Sequence, residues 1–104
     1  MKRLTACTLL VFGLAVPASA GTNGVAVRDD FFSPSTLTVK KGTKVKWTWK
    51  GDAPHDVTVR KGPAQFRSDL QTSGTFTRKL TKRGTYRLLC TVHAPDMKMT
   101  LKVR

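Results

Sequence analysis

The chain is short of acids, histidines and usable cysteines, and each shortage narrows what it can be. Six acidic residues stand against 19 Lys and Arg, giving a formal net charge of +13. Of the two cysteines, Cys7 lies in an N-terminal stretch that reads as an export leader, so the exported part keeps only Cys90. That excludes a disulfide framework, although a domain this small gains from a staple outside the cell. There is no glycine-rich phosphate loop and no aromatic-basic array, which argues against specific nucleic-acid recognition. No internal repeat, low-complexity tract or linker interrupts the chain, and no segment shows a convincing amphipathic helical period.

The leader carries its usual parts. Lys2 and Arg3 give a positive start, Leu9 to Val16 is apolar but too short to span a bilayer, and Ala18-Ser19-Ala20 offers the small residues that a signal peptidase needs. Residues 1–20 are therefore expected to be a signal peptide and residues 21–104 one exported domain, periplasmic, extracellular or at the cell surface, with no integral membrane span after cleavage. An uncleaved anchor is the competing reading, and the short run speaks against it. The excess of cations favours anionic partners, whether acidic proteins, phospholipid head groups or nucleic acid, without choosing among them.

What remains reads as strands and turns. Val25 and Val27 alternate with small or polar neighbours, and Leu37 and Val39 lead into the turn Lys41-Gly42-Thr43. From Lys44 to Lys50 the alternation is strict, with Val45, Trp47 and Trp49 on one face and basic or hydroxyl side chains on the other. That pattern describes a half-buried strand with a solvated basic face. His55 to Val59 is a further short β-run. Gly62 to Gly74 is irregular, with Phe66 and Leu70 as expected anchors and room for a helical turn. Phe76 and Leu80 mark another strand, Tyr86, Leu88 and Cys90 share a face of the next, and Met99, Leu101 and Val103 form the last. Seven or eight short strands predict an all-β, antiparallel Greek-key β-sandwich.

Metal-avid residues cluster in Cys90-Thr91-Val92-His93, with Met97 and Met99 just beyond, where a strand ends before the final one. The other histidine, His55, follows Pro54 at the mouth of an earlier strand, and a sandwich brings such loops together at one end. A thiolate, two imidazoles and a weak axial thioether serve both Cu(I) and Cu(II) with little rearrangement. Metal binding would also hold the lone cysteine as a thiolate and account for its presence in an exported protein.

In these segments the chain resembles the plastocyanin and amicyanin branch of the cupredoxins over nearly all of residues 21–104. The run Phe32-Ser33-Pro34, Leu37-Thr38-Val39, Gly42-Thr43 and Val45-Lys46-Trp47 looks like their first strands, and Pro54-His55 like their upstream ligand segment. Gly84 to His93 is similar to their Gly-x-Tyr-x-(aromatic)-x-Cys-x-x-His signature. The resemblance implies one type 1 copper ion on His55, Cys90, His93 and a methionine. Met97 is preferred for that place because it precedes the last strand, and Met99 is left to pack within it.

Two departures matter. Leu89 stands where plastocyanins carry an aromatic beside an acidic patch, so their remote docking route is not expected. Asp56 stands where the family often has Asn, and an Asp56–Thr91 hydrogen bond between the ligand loops is expected. The resemblance implies that His93 meets solvent through a rim of Ala53, Pro54, Ala94 and Pro95. It implies a monomeric electron carrier, not an enzyme, steered by its positive charge to redox partners with an acidic docking surface.

Other readings of the same residues are surface histidines, an inert buried thiol, or a Cys-His nucleophile without its orienting group. At the level of function the alternatives are copper delivery or storage through the same site, and a metal-free basic module on an anionic surface. Zinc fits the same donors but should bind less tightly than copper.

Overall fold

The alternation at Lys44–Trp49 becomes the central strand of one layer, with Val45, Trp47 and Trp49 buried and Lys44 and Lys46 in solvent. The computed structural model describes residues 21–104. They form eight strands: β1 Thr22–Val27, β2 Phe32–Ser33, β3 Thr36–Val39, β4 Lys44–Trp49, β5 Thr58–Lys61, β6 Thr75–Lys79, β7 Gly84–Leu89 and β8 Lys98–Val103. One sheet runs β2-β1-β4-β6 and the other β3-β8-β7-β5. The leader expected at residues 1–20, with Cys7, lies outside the described residues.

The two inner faces meet in one core. Val25, Trp47 and Trp49 come from the first sheet, and Val59, Tyr86, Leu88, Leu101 and Val103 from the second. Burying each large apolar side chain contributes about 1.5–3 kcal/mol. Trp47 packs against Phe66 and Phe76 at ring-centroid distances of 6.0 and 5.7 Å, and its indole Nε1 donates to the Met99 sulfur at 3.4 Å. The core thus satisfies the polar edge of its largest ring. Tyr86 donates its hydroxyl to the Lys82 carbonyl at 2.9 Å, which ties β7 to the turn before it. Gly42, in the turn expected from the sequence, has φ of 95°, a conformation that favours glycine.

The all-β sandwich is present, and its details add to the sequence reading. β1 pairs parallel with β4 and β3 parallel with β8, while the remaining ladders are antiparallel. Alternation reports which face is buried and is blind to strand direction, so these parallel pairs were invisible in the sequence. The strand expected from His55 starts at Thr58, because His55 bridges to Gln71 and Val57 bonds Ser68. Gly62–Gly74 forms no helical turn; it folds back to make those contacts. Phe66 is buried there as expected, but Leu70 is 58% exposed and anchors nothing.

Candidate metal centre

Three loops reach one end of the sandwich: the β1–β2 turn, the β4–β5 connection and the β7–β8 loop. The β7 face that buries Tyr86 and Leu88 continues to Cys90, whose side chain is fully enclosed. Beyond it the chain turns tightly. His93 N–H donates to the Cys90 carbonyl at 3.2 Å, Met97 N–H to the His93 carbonyl at 3.3 Å, and Cys90 N–H to the Met97 carbonyl at 3.0 Å. This closed set of bonds stacks the three residues over one another.

His55 arrives from the other sheet and is equally fixed. Its N–H donates to the Gln71 carbonyl at 3.0 Å, and its own carbonyl accepts from Gln71 N–H at 3.1 Å and from Trp49 Nε1 at 3.1 Å. The fully buried ring presents Nδ1 at 3.8 Å from Cys90 Sγ, and His93 presents its Nδ1 at 3.6 Å from the same sulfur. The three donor atoms lie within 4.8 Å of one another. Metal–thiolate bonds of about 2.3 Å and metal–imidazole bonds of about 2.0–2.1 Å, opened to trigonal or tetrahedral angles, separate such donors by roughly 3.6–3.8 Å. The two sulfur–nitrogen separations fit a cation shared with Cys90 Sγ.

The two methionines after His93 are placed differently. Met99 points into the core, where its sulfur accepts from Trp47. Met97 is fully buried in the loop, its backbone bonded to both Cys90 and His93. The Asp56–Thr91 bond expected from the sequence is present twice over: Thr91 N–H donates to Oδ1 at 2.7 Å and Thr91 Oγ1 to Oδ2 at 2.5 Å. Asp56 is buried, so its carboxylate serves as a strut between the His55 and Cys90 loops rather than facing solvent.

Asp29 was not legible in the sequence. It lies in the turn after β1, and its Oδ1 accepts from His55 Nε2 at 3.2 Å, Asp52 N–H at 2.9 Å and Ala53 N–H at 3.0 Å. The Ala53 N–H, followed by the His55 ring, holds the Asp29 carboxyl below its ordinary value. With the hydrogen on Nε2, a neutral ring leaves the Nδ1 lone pair toward Cys90, the arrangement in which a carboxylate orients a ligating imidazole. A Cβ at Gly51 would collide with this carboxylate, so the glycine makes room for it. The contact joins residues 26 apart and has no periodic or motif signature.

At the surface, His93 is the one partly exposed member of the donor group. Pro54, Ala94 and Pro95 are exposed and Ala53 half-buried, as the expected rim requires, and Phe31 and Val92 add apolar surface at the same end. Beside the loop runs a groove lined by Phe31, Pro95, Arg60, Arg87 and Lys98.

Comparisons with known proteins give the family and the fold. The family model described as a cupredoxin-like domain matches residues 4–103. Amicyanin-alpha of Methylorubrum extorquens is 32% identical over 85 residues, covering 78% of this chain and 71% of that protein. Among solved structures, the Cu(I) form of a mutant amicyanin superposes with a TM-score of 0.71 at 27% identity, covering 83% of this chain and 85% of the other. A purple cupredoxin from Nitrosopumilus maritimus shares the fold with a TM-score of 0.69 at 23% identity, covering 79% and 99%. A copper-containing nitrite reductase from Thermus scotoductus matches with a TM-score of 0.72 at 24% identity over 79% of this chain. The chain spans only 22% of that enzyme.

Proposed function

The chain belongs to the cupredoxin-like domain family, and from that premise we propose that residues 21–104 act as an exported, monomeric electron carrier with one type 1 copper ion on His55, Cys90, His93 and Met97. The observation that carries the proposal is the convergence of His55 Nδ1 and His93 Nδ1 on Cys90 Sγ at 3.8 and 3.6 Å. Bound copper supplies one-electron chemistry between Cu(I) and Cu(II), and the thiolate, imidazole and thioether set suits both states.

The protein's own residues hold that set still. Asp29 orients the His55 ring, Trp49 and Gln71 fix its backbone, and Asp56 braces the two loops against each other. Rigid donors need little movement when the charge of the centre changes. Burial of His55, Cys90 and Met97 keeps water away, and the edge of His93 gives a redox partner close approach across a small apolar rim. Arg60, Arg87 and Lys98 in the neighbouring groove favour a partner with an acidic docking edge, held weakly enough to leave quickly. The leader read at residues 1–20 supports a setting outside the cytoplasm, periplasmic, extracellular or at the cell surface. No catalytic role is proposed.

Voltammetry on the copper-loaded protein tests the carrier role. A reversible one-electron wave, repeated over many cycles without loss of copper, is expected. Copper lost to a chelator at each reduction would indicate delivery in place of electron transfer.

A further inference from the structure

The acids are confined to one end, and the other end carries cations alone. The turn after β3, the start of β4, the turn between β6 and β7 and the end of β8 meet at the pole opposite the metal centre, as Lys44 N–H to Gly21 O, Gly42 N–H to Leu80 O and Lys41 N–H to Arg104 O show. Lys41, Lys44, Lys79, Lys82, Arg83 and Arg104 are all exposed there. None of the chain's six acids lies at this pole. Asp29 and Asp30 follow β1, Asp52 and Asp56 lie between β4 and β5, Asp69 sits beside the His55–Gln71 bridge, and Asp96 is in the β7–β8 loop. The exposed large apolar side chains Phe31, Leu70 and Val92 also lie toward the metal end.

We propose that this basic pole is a docking surface for an anionic lipid bilayer. Protein partners are gripped by apolar and aromatic anchors, and among the described residues those are at the other end. The pole instead spreads cations over several separate connections, which suits a laterally uniform sheet of head-group charge. Docked this way, the His93 edge faces away from the bilayer toward its partners, and the search for a partner becomes two-dimensional. The inference does not depend on which metal the opposite end holds.

The test is co-sedimentation of the protein, purified after export, with phosphatidylcholine vesicles with and without phosphatidylglycerol. The wild type should bind only the anionic vesicles, and less as salt rises. A Lys41→Gln/Lys44→Gln/Lys79→Gln/Lys82→Gln variant should lose several hundred-fold in affinity, at about fivefold per charge. A control of equal net charge, Lys50→Gln/Arg60→Gln/Arg67→Gln/Lys98→Gln, should keep most of it. Equal losses in both variants would reduce the effect to net charge and overturn the assignment of a pole. Equal binding to neutral vesicles, or binding to soluble poly-aspartate but to no vesicle, would overturn the lipid assignment.

Discussion

Asp29 and the two methionines are where single side chains decide the properties of the site. Removing a carboxylate that orients a ligating imidazole typically costs 10–100-fold in metal affinity. Asp29→Ala is therefore expected to weaken copper binding by about that factor, measured by competition with a chelator, while the fold survives because the side chain is half exposed. The methionines should separate cleanly. Met97→Ala is expected to keep a copper–thiolate absorption while moving the reduction potential, because the axial bond is weak and tunes more than it holds. Met99→Leu should leave the potential alone. It strands the buried Trp47 N–H and should cost about 1–3 kcal/mol in denaturant unfolding. A potential that moved in the second variant and not in the first would exchange the roles assigned to them.

At the scale of elements, the β4–β5 connection carries much of the site. Gly51 gives Asp29 its place, Ala53 donates to it, His55 points its ring at Cys90, and Asp56 reaches Thr91. A Gly51→Ala substitution is expected to displace the Asp29 carboxylate and reproduce the affinity loss of Asp29→Ala. The double variant should be little worse than either alone, since contacting residues are not additive; fully additive losses would show that the two act separately. This connection also marks the limit of what the sequence discloses. Cys90, His93 and His55 stand out because their types are rare in the chain, and Asp56–Thr91 is approached through a family pattern. β4 stands out because its alternation is strict. Asp29, Gln71 and Trp49 act on His55 through contacts that only the folded chain creates, and nothing near them in sequence announces their part. Leu70 fails for a related reason: an apolar residue in an irregular segment has no period to say which way it faces.

The whole molecule is a small sandwich with no disulfide among its described residues, so a bound ion is expected to contribute a large share of its stability. Copper at about a thousandfold over its dissociation constant adds about 4 kcal/mol, provided the unfolded chain does not bind it. For a domain of this size each kcal/mol moves the melting temperature by about 4–8 °C. Adding copper should therefore raise the wild-type melting temperature by roughly 15–30 °C in calorimetry, with a much smaller rise in Cys90→Ser. Equal shifts in the two proteins would place the stabilising ion elsewhere. The net charge of +13 was plain from composition, but its separation into a basic pole and a metal end carrying the acids appeared only when the turns were assembled in space.

The most direct test of the copper centre is the visible absorption of the wild-type protein on adding one equivalent of Cu(II), beside Cys90→Ser. An intense thiolate-to-copper charge-transfer band that saturates at one ion and is lost in the variant is the predicted result. Copper bound without that band, or a band that persists in Cys90→Ser, would contradict the assignment of Cys90, His55 and His93 to a type 1 site.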